Sequence, residues 1–262
     1  MFCIMVQCLV PDERDGRMLD QRLEDGVAIL TMNRPKQRNA MSPDLVATLI
    51  AASEQAGYDS TVDAILLTGS DPGFCAGSDL AELARMDSAG RRRFEAESGR
   101  LARMFGALPK PIVAAVKGFA IGGGLTLATS CDIVVTEAIA RWNLPEVPIG
   151  LFPAWGLASV TNRVGLPMAR RLAWGIETLS GAEAVRLGLA DHLAEGDVLD
   201  YALLLARKLA ELPAAQAAAV KTYFQANPSG EAADLLANRL FMSMCETNAA
   251  TLTFGKFAKR GG

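Results

Sequence analysis

Histidine is almost absent from this chain, whose 262 residues include one, His192. A zinc or iron site built from clustered histidines is therefore excluded. A Ser-His-Asp triad is excluded too unless that one histidine is its base. Acid-base chemistry must then come mostly from carboxylates, lysine, tyrosine or the backbone.

An excess of positive charge is also missing. The chain has 26 Lys and Arg against 29 Asp and Glu, a net charge of −3, which offers no electrostatic footprint for nucleic acid. The five cysteines are odd in number and show no C-x-x-C spacing, which is typical of reduced thiols in a cytoplasmic protein, so we expect no disulfides. The longest uncharged run, 147–162, is too short and too broken by proline and glycine to span a bilayer.

Three regions follow one another along the chain. Residues 1–17 are apolar at first but lack a basic start and a cleavage pattern, so they fit a secretory signal poorly and are interpreted as an N-terminal extension. Residues 18–197 form the patterned core, in which strand-like runs at 27–32, 64–68, 112–116 and 133–136 alternate with helical segments. Residues 198–262 are rich in helix formers and lack strands to cover, so we expect them to pack on themselves or on neighbouring subunits. The pattern predicts an α/β fold with a largely parallel sheet.

Helix boundaries are marked at two places. Ser42, Pro43 and Asp44 provide an N-cap, a first-turn proline and a first-turn acid for a helix that should stop near Gly57. Ser180 and Glu183 predict a capping box.

Two glycine-rich turns follow strands and open into helices, at 73–80 and at 118–124. Such turns direct free backbone N–H groups at one point, and glycine lets a ligand approach the backbone. Two turns of this kind on neighbouring strands could each give one N–H to the same oxygen, as in an oxyanion hole. Each could equally be a tight connection. The dinucleotide pattern G-x-G-x-x-G, the Walker A lysine and the G-x-S-x-G elbow are absent.

Glu146 is the acid of most interest. It stands in the segment Asn-Leu-Pro-Glu-Val-Pro-Ile-Gly-Leu at 143–151, between two prolines and among aliphatic residues, where poor solvation should raise its pKa toward the range useful for proton transfer. A surface position in a proline-bounded turn is the alternative. Glu82, Glu95 and Glu97 lie among charged neighbours and are expected on a solvated helix face.

The motifs taken together resemble the enoyl-CoA hydratase/isomerase (crotonase) family. They comprise Asn33-Arg34-Pro35 with Arg38-Asn39-Ala40-Met41, then FCAGSDL, then KPIVAAVKGFAIGGGLTLATSCDI, then LPEVPIGLFP. The resemblance covers about 18–260, in order and at the family's spacing. It implies a crotonase-like ββα spiral with C-terminal helices that build a homotrimer or dimer of trimers. It also implies an acyl-CoA thioester substrate, with no cofactor besides the CoA of that substrate and no metal.

Particular site residues follow from the same resemblance. The backbone N–H groups of Ser78 and Gly123 would hold the thioester oxygen, and Glu146 would carry the proton. Contacts to substrate would come from Arg38, Ala40, Ala76, Ser78, Asp79, Leu80, Ala81, Gly122, Gly123 and Pro145. The C-terminal Phe254, Lys256, Phe257 and Lys259 resemble a Phe-x-x-Lys ending that can reach a neighbour's CoA.

The sequence departs from the family at Thr126. Hydratases of this family use two glutamates, and the first of them would stand at this position. A threonine cannot exchange a proton near neutral pH as a carboxyl does. We therefore favour the hypothesis that Glu146 alone isomerises an enoyl-CoA. The alternatives are a hydratase, a hydratase-lyase or a catalytically weak CoA-binding subunit. The lyase loses ground because the region that should supply its tyrosine offers Phe241 and Met242 instead.

Cys75, Cys131, Trp142, Trp155 and His192 complete the candidate residues. The two cysteines have no histidine nearby in sequence and are expected to be structural. The two tryptophans flank Glu146 and are expected in the core, with a wall of the acyl pocket as the alternative. His192 lies outside every motif and is expected in a turn or on the surface.

Overall fold

Two sheets organise the computed structural model, which describes residues 17–226 and 231–252. The strands are β1 (Leu19–Glu24), β2 (Val27–Met32), β3 (Ala64–Gly69), β4 (Ile112–Val116), β5 (Phe119–Ile121), β6 (Ile133–Thr136), β7 (Arg141–Asn143), β8 (Leu179–Ser180) and β9 (His192–Leu193). The larger sheet has the order β1-β2-β3-β4-β6-β9, and the smaller has the order β5-β7-β8. From β2 to β9 the larger sheet is parallel, and β1 pairs with β2 antiparallel.

The helices follow the strands in turn. They are α1 (Pro43–Tyr58), α2 (Leu80–Arg85), α3 (Ser88–Ala107), α4 (Gly123–Thr129), α5 (Leu157–Ala173), α6 (Gly181–Leu187), α7 (Val198–Ala210), α8 (Ala214–Ala226) and α9 (Glu231–Cys245), with short 3-10 helices at Pro35–Gln37 and Val147–Ile149. The chain passes from β4 to β5 and into α4, then from β6 to β7 and on to α5, so these two turns visit both sheets. This repeated strand-strand-helix path confirms the expected α/β spiral.

The local signals in the sequence account for most of these elements. The mostly apolar β2, β3 and β4 lie inside the sheet with both faces covered. Ser42 caps α1 by accepting a hydrogen bond from the Leu45 N–H. The capping box of Ser180 and Glu183 is present at the start of α6.

The expectation that the helical last third packs only on itself or on other subunits is wrong for α7. This helix covers the outer face of the larger sheet and buries Val198, Ala202, Leu203 and Ala206 against it. An amphipathic helix can bury its apolar stripe on the face of a sheet as well as on another helix. The α8 helix is also attached to the core, because its buried Lys221 donates to the Phe105 carbonyl at 2.7 Å and to the Asp132 carboxylate at 2.6 Å.

The strand ends position the candidate site. β3 leads into the first glycine-rich turn, β4 leads into the second, which contains β5, and β7 leads to Glu146. Among the described helices, none combines the length and the apolar character that a membrane-spanning segment requires.

Candidate active site

The two glycine-rich turns lie against each other, backbone to backbone. The segment at 75 pairs with Ala120 of β5, and the segment at 78 pairs with Met41. Gly77 has a φ of +92°, and a Cβ at this position would lie 2.9 Å from the Ile121 carbonyl oxygen and 3.3 Å from the Gly123 nitrogen. Because only glycine permits this approach, the sequence brings the backbone of 77–78 beside that of 122–123.

Two backbone N–H groups are left without an acceptor where these turns meet. Within the described residues, neither the Ser78 N–H nor the Gly123 N–H donates to a protein atom, whereas the flanking Asp79 N–H donates to Met41 and the Gly122 N–H donates to Asn143. Gly123 is the first residue of α4, so its N–H has no partner within the helix. Two free donors side by side are what an oxyanion hole requires.

Glu146 packs against Gly122, the residue that precedes the Gly123 donor. Gly122 has φ +54° and ψ −125°, and a Cβ there would lie 2.7 Å from Glu146 Oε1. The other carboxylate oxygen, Oε2, is buried and has no hydrogen-bond partner among the described residues. Loss of solvation raises the pKa of Glu146, and the negative charge of Glu95 raises this pKa further. The raised pKa that the sequence predicts is therefore confirmed.

Thr126 is closed off from solvent at the back of the site. Its side chain is buried, and its hydroxyl donates to the Gly123 carbonyl at 3.1 Å. Gly156 packs directly on it, since a Cβ at 156 would lie 2.4 Å from Thr126 Cβ. The hydroxyl is thus already engaged inside α4, while Thr126 is among the residues that line the cleft.

Glu95 belongs to the same cleft, and the expectation that it lies on a solvated helix face is wrong. The cleft encloses about 160 Å³, and its lining includes Glu95, Ser78, Gly123, Glu146 and Trp155. Burial raises the pKa of Glu95, while a hydrogen bond from the Trp155 side chain opposes that shift. The other two acids stay outside: Glu82 pairs with Arg34 and Glu97 with Arg100.

Sequence reasoning missed Glu95 because its neighbours 91–93 are arginines and Glu97 is also charged. A signal was nevertheless present. Phe94, Ser98 and Leu101 form the buried face of α3, and Glu95 lies at its border. Gly99, one helical turn further on, leaves the space that Trp155 fills: a Cβ at 99 would lie 3.3 Å from Trp155 Cβ.

The residues expected to contact substrate lie around the mouth and wall of the cleft. Arg38 is exposed, and its Cζ stacks 4.7 Å from the centre of the Phe119 ring. Asp79 caps α2 and pairs with Arg34 at 3.0 Å, so its carboxylate is engaged in contacts within the protein. The wall of the cleft includes the remaining candidates Ala76, Leu80, Gly122 and Pro145. Ala40 is buried and Ala81 is exposed.

The structure also gives the positions of the candidate tryptophans, cysteines and histidine. Trp142 is fully buried and donates to the Thr136 hydroxyl at 3.2 Å, whereas Trp155 lines the cleft. Burial raises the pKa of the Cys75 thiol to about 12, and that of Cys131 is also raised, as expected for structural cysteines. His192 lies in β9, beside the Tyr201 ring, and not in a turn. The C-terminal residues at 254–259 lie outside the described residues.

Comparison with known proteins agrees with this geometry. The sequence model of the family described as "Enoyl-CoA hydratase/isomerase" matches residues 22–254. The short-chain-enoyl-CoA hydratase of Clostridium acetobutylicum is 35% identical over 189 residues, which are 71% of this chain and 72% of that protein. The 2,3-dehydroadipyl-CoA hydratase of Escherichia coli is 36% identical over 186 residues, which are 70% of this chain and 72% of that protein.

Solved structures give the same result. An enoyl-CoA hydratase structure from Mycobacterium smegmatis superposes with a TM-score of 0.87 at 28% identity, covering 93% of this chain and 97% of that one. One from Polaromonas sp. JS666 superposes with a TM-score of 0.86 at 26% identity, covering 92% of this chain and 97% of that one. The chain therefore belongs to the enoyl-CoA hydratase/isomerase family of acyl-CoA enzymes.

Proposed function

We propose that this protein adds water to a 2-enoyl-CoA thioester, with Glu146 as the acid that exchanges a proton with C2. The observation that carries the proposal is the Glu146 carboxylate itself. It is half-buried and its Oε2 has no hydrogen-bond partner among the described residues. It lies against Gly122, next to the two free N–H groups.

The chemistry follows from that arrangement. The Ser78 and Gly123 N–H groups would hold the thioester oxygen as negative charge develops on it, and removal of one such donor typically costs about 10²- to 10³-fold in rate. The enolate that forms is protonated at C2. A carboxyl whose pKa is raised holds its proton closer to neutral pH, so Glu146 suits this step, which is worth about 10² to 10⁴ in rate.

Isomerisation of a 3-enoyl-CoA is the second candidate. Thr126 supplies no acid, and its buried, engaged hydroxyl supports that premise of the isomerase hypothesis. Its other premise, that Glu146 is the only carboxylate at the site, does not hold, because Glu95 lines the same cleft. Relatives named as hydratases also favour water addition.

Substrate binding and assembly complete the proposal. The CoA part of the substrate would pass Arg38, Ala40 and Ala76 and the start of α2 at Asp79, Leu80 and Ala81, with Gly122 and Pro145 at the acyl end. No further cofactor is needed for this chemistry. A homotrimer or dimer of trimers, located in the cytoplasm, would cover the apolar residues that α9 exposes, which are Leu235, Phe241 and Met242.

The test uses purified protein with 2-enoyl-CoA and 3-enoyl-CoA thioesters in separate assays. We expect loss of the conjugated 2-enoyl absorbance as water adds, and we expect Glu146→Gln to abolish it while CoA affinity is kept. Glu97→Gln is the matched control, because Glu97 is exposed and pairs only with Arg100 in the described structure. Conversion of 3-enoyl-CoA without hydration would favour the isomerase, and binding without turnover would favour a CoA-binding subunit. Full activity of Glu146→Gln would overturn the assignment.

A further inference from the structure

Glu95 reaches the cleft from α3, an element separate from the two glycine-rich turns and from the Glu146 loop. It is half-buried and shares the cleft wall with Ser78, Gly123 and Glu146. Its negative charge acts on Glu146, whose pKa it raises. Two carboxylates therefore face one space beside the oxyanion donors.

Trp155 holds Glu95 in relation to those donors. A Cβ on Gly99 of α3 would lie 3.3 Å from Trp155 Cβ, and a Cβ on Gly123 would lie 3.0 Å from Trp155 Cζ2. The indole thus extends from α3 to the first residue of α4, and its interaction with the Glu95 carboxyl opposes the rise in the pKa of that group. Glycine at 99 and at 123 makes this contact possible on both sides.

Burial raises the pKa of both carboxyls, and the charge of Glu95 raises that of Glu146 further. An N–H donor favours the ionised form of the carboxylate that accepts it, and Trp155 provides one to Glu95. Glu146 has an oxygen with no partner and a neighbouring negative charge, both of which favour its protonated form. When the environments of two titratable groups differ in this way, one suits the role of base and the other that of acid.

We propose that Glu95 is the second catalytic carboxylate of the hydration reaction, the base that activates the water. This inference rests on the proposed function. The water oxygen bonds to C3 of the enoyl thioester and its proton passes to Glu95. The C2=C3 electron pair moves toward the thioester, whose oxygen is held by the Ser78 and Gly123 N–H groups, and C2 then takes the proton of Glu146. Glu95 ends protonated and Glu146 ionised, and proton exchange with solvent restores both.

The test separates the two carboxylates with two assays on the full chain. Hydration of a 2-enoyl-CoA needs both groups. Exchange of the C2 hydrogens of a saturated acyl-CoA in D₂O, measured by mass spectrometry, needs only Glu146 and the two N–H groups. We expect Glu95→Gln to lower the hydration rate by about 10²-fold or more and to leave C2 exchange within a few fold of the parent. Glu97→Gln, on the same helix, should change neither.

The outcomes distinguish the role of Glu95 from the proposed function as a whole. If Glu95→Gln hydrates at the parent rate, or loses C2 exchange as severely as hydration, Glu95 is not the base for water and the inference is overturned. A parent that exchanges C2 hydrogens but does not hydrate overturns the proposed hydration and, with it, this inference. If the parent does neither, the proposed function fails.

Discussion

Replacement of Gly122 by alanine tests whether the position of Glu146 controls the reaction. A Cβ at 122 would lie 2.7 Å from Glu146 Oε1, and an ordinary contact begins at 3.4 Å, so the oxygen must move by about 0.7 Å. The end of a flexible side chain yields more easily than backbone does. We therefore expect the Gly122→Ala protein to fold with a displaced carboxylate.

The expected loss of activity follows from that displacement. Misplacement of a catalytic group by about 1 Å costs about 10²-fold in rate, so hydration and C2 exchange should both fall by about that factor. The positive φ of Gly122 adds strain, which should lower the free energy of unfolding by about 1–3 kcal/mol, as measured by denaturant titration. Gly165→Ala is the matched control: Gly165 has φ +74° and ψ 160°, with nothing within 4 Å of an added Cβ. That variant should lose stability and keep its rate.

A double mutant identifies the cause. If Gly122→Ala acts by moving the Glu146 carboxylate, it should change the residual rate little in a Glu146→Gln background, because the group it displaces is no longer an acid. Unchanged activity of the single Gly122→Ala variant would refute the reasoning. An equally large loss in both backgrounds would also refute it and would point to the oxyanion donors instead.

Two further predictions concern the pH profile and position 126. Glu95→Gln removes a negative charge that raises the pKa of Glu146, so this pKa should fall. C2 exchange requires ionised Glu146, and its rate should therefore rise at lower pH in Glu95→Gln than in the parent or in Glu97→Gln. An unmoved profile would mean that the two charges do not interact. Thr126→Glu should lower the free energy of unfolding by about 1–3 kcal/mol through overpacking against Gly156 and should not raise the hydration rate. Thr126→Ser is its control, and faster hydration with unchanged stability would contradict the prediction.

The sequence predicts those parts of the structure that depend on local signals. The buried strands, the cap at Ser42 and the capping box at Ser180 follow from residue type and spacing, and the structure confirms them. The shifted pKa of Glu146 follows from its prolines and aliphatic neighbours. Short strands such as β8 and β9, with two residues each, carry too little pattern to be recognised.

Residues that meet through the fold are harder to predict. Glu95 is separated from Glu146 by 51 positions, and its charged neighbours along α3 are exposed while its own side chain is half-buried. Whether such a borderline residue faces water or a cleft depends on what packs against the helix. Here that partner is Trp155, which arrives from a loop without regular structure.

The loop that contains Trp155 and Gly156 packs on Thr126, where the family's other glutamate would stand, and also reaches Glu95. Gly156 has φ +77°, and this backbone conformation lets it pack on the Thr126 side chain with no Cβ between them. Trp155 then packs between Gly123 and Gly99, and its interaction with Glu95 lowers the pKa of that carboxyl. The same loop conformation therefore packs Gly156 on Thr126 and brings Trp155 to Glu95. If a larger side chain at 126 shifts this loop, the contact of Trp155 with Glu95 should change with it. The pH profile of C2 exchange in Thr126→Glu therefore tests whether positions 126 and 95 are coupled through the loop at 155–156.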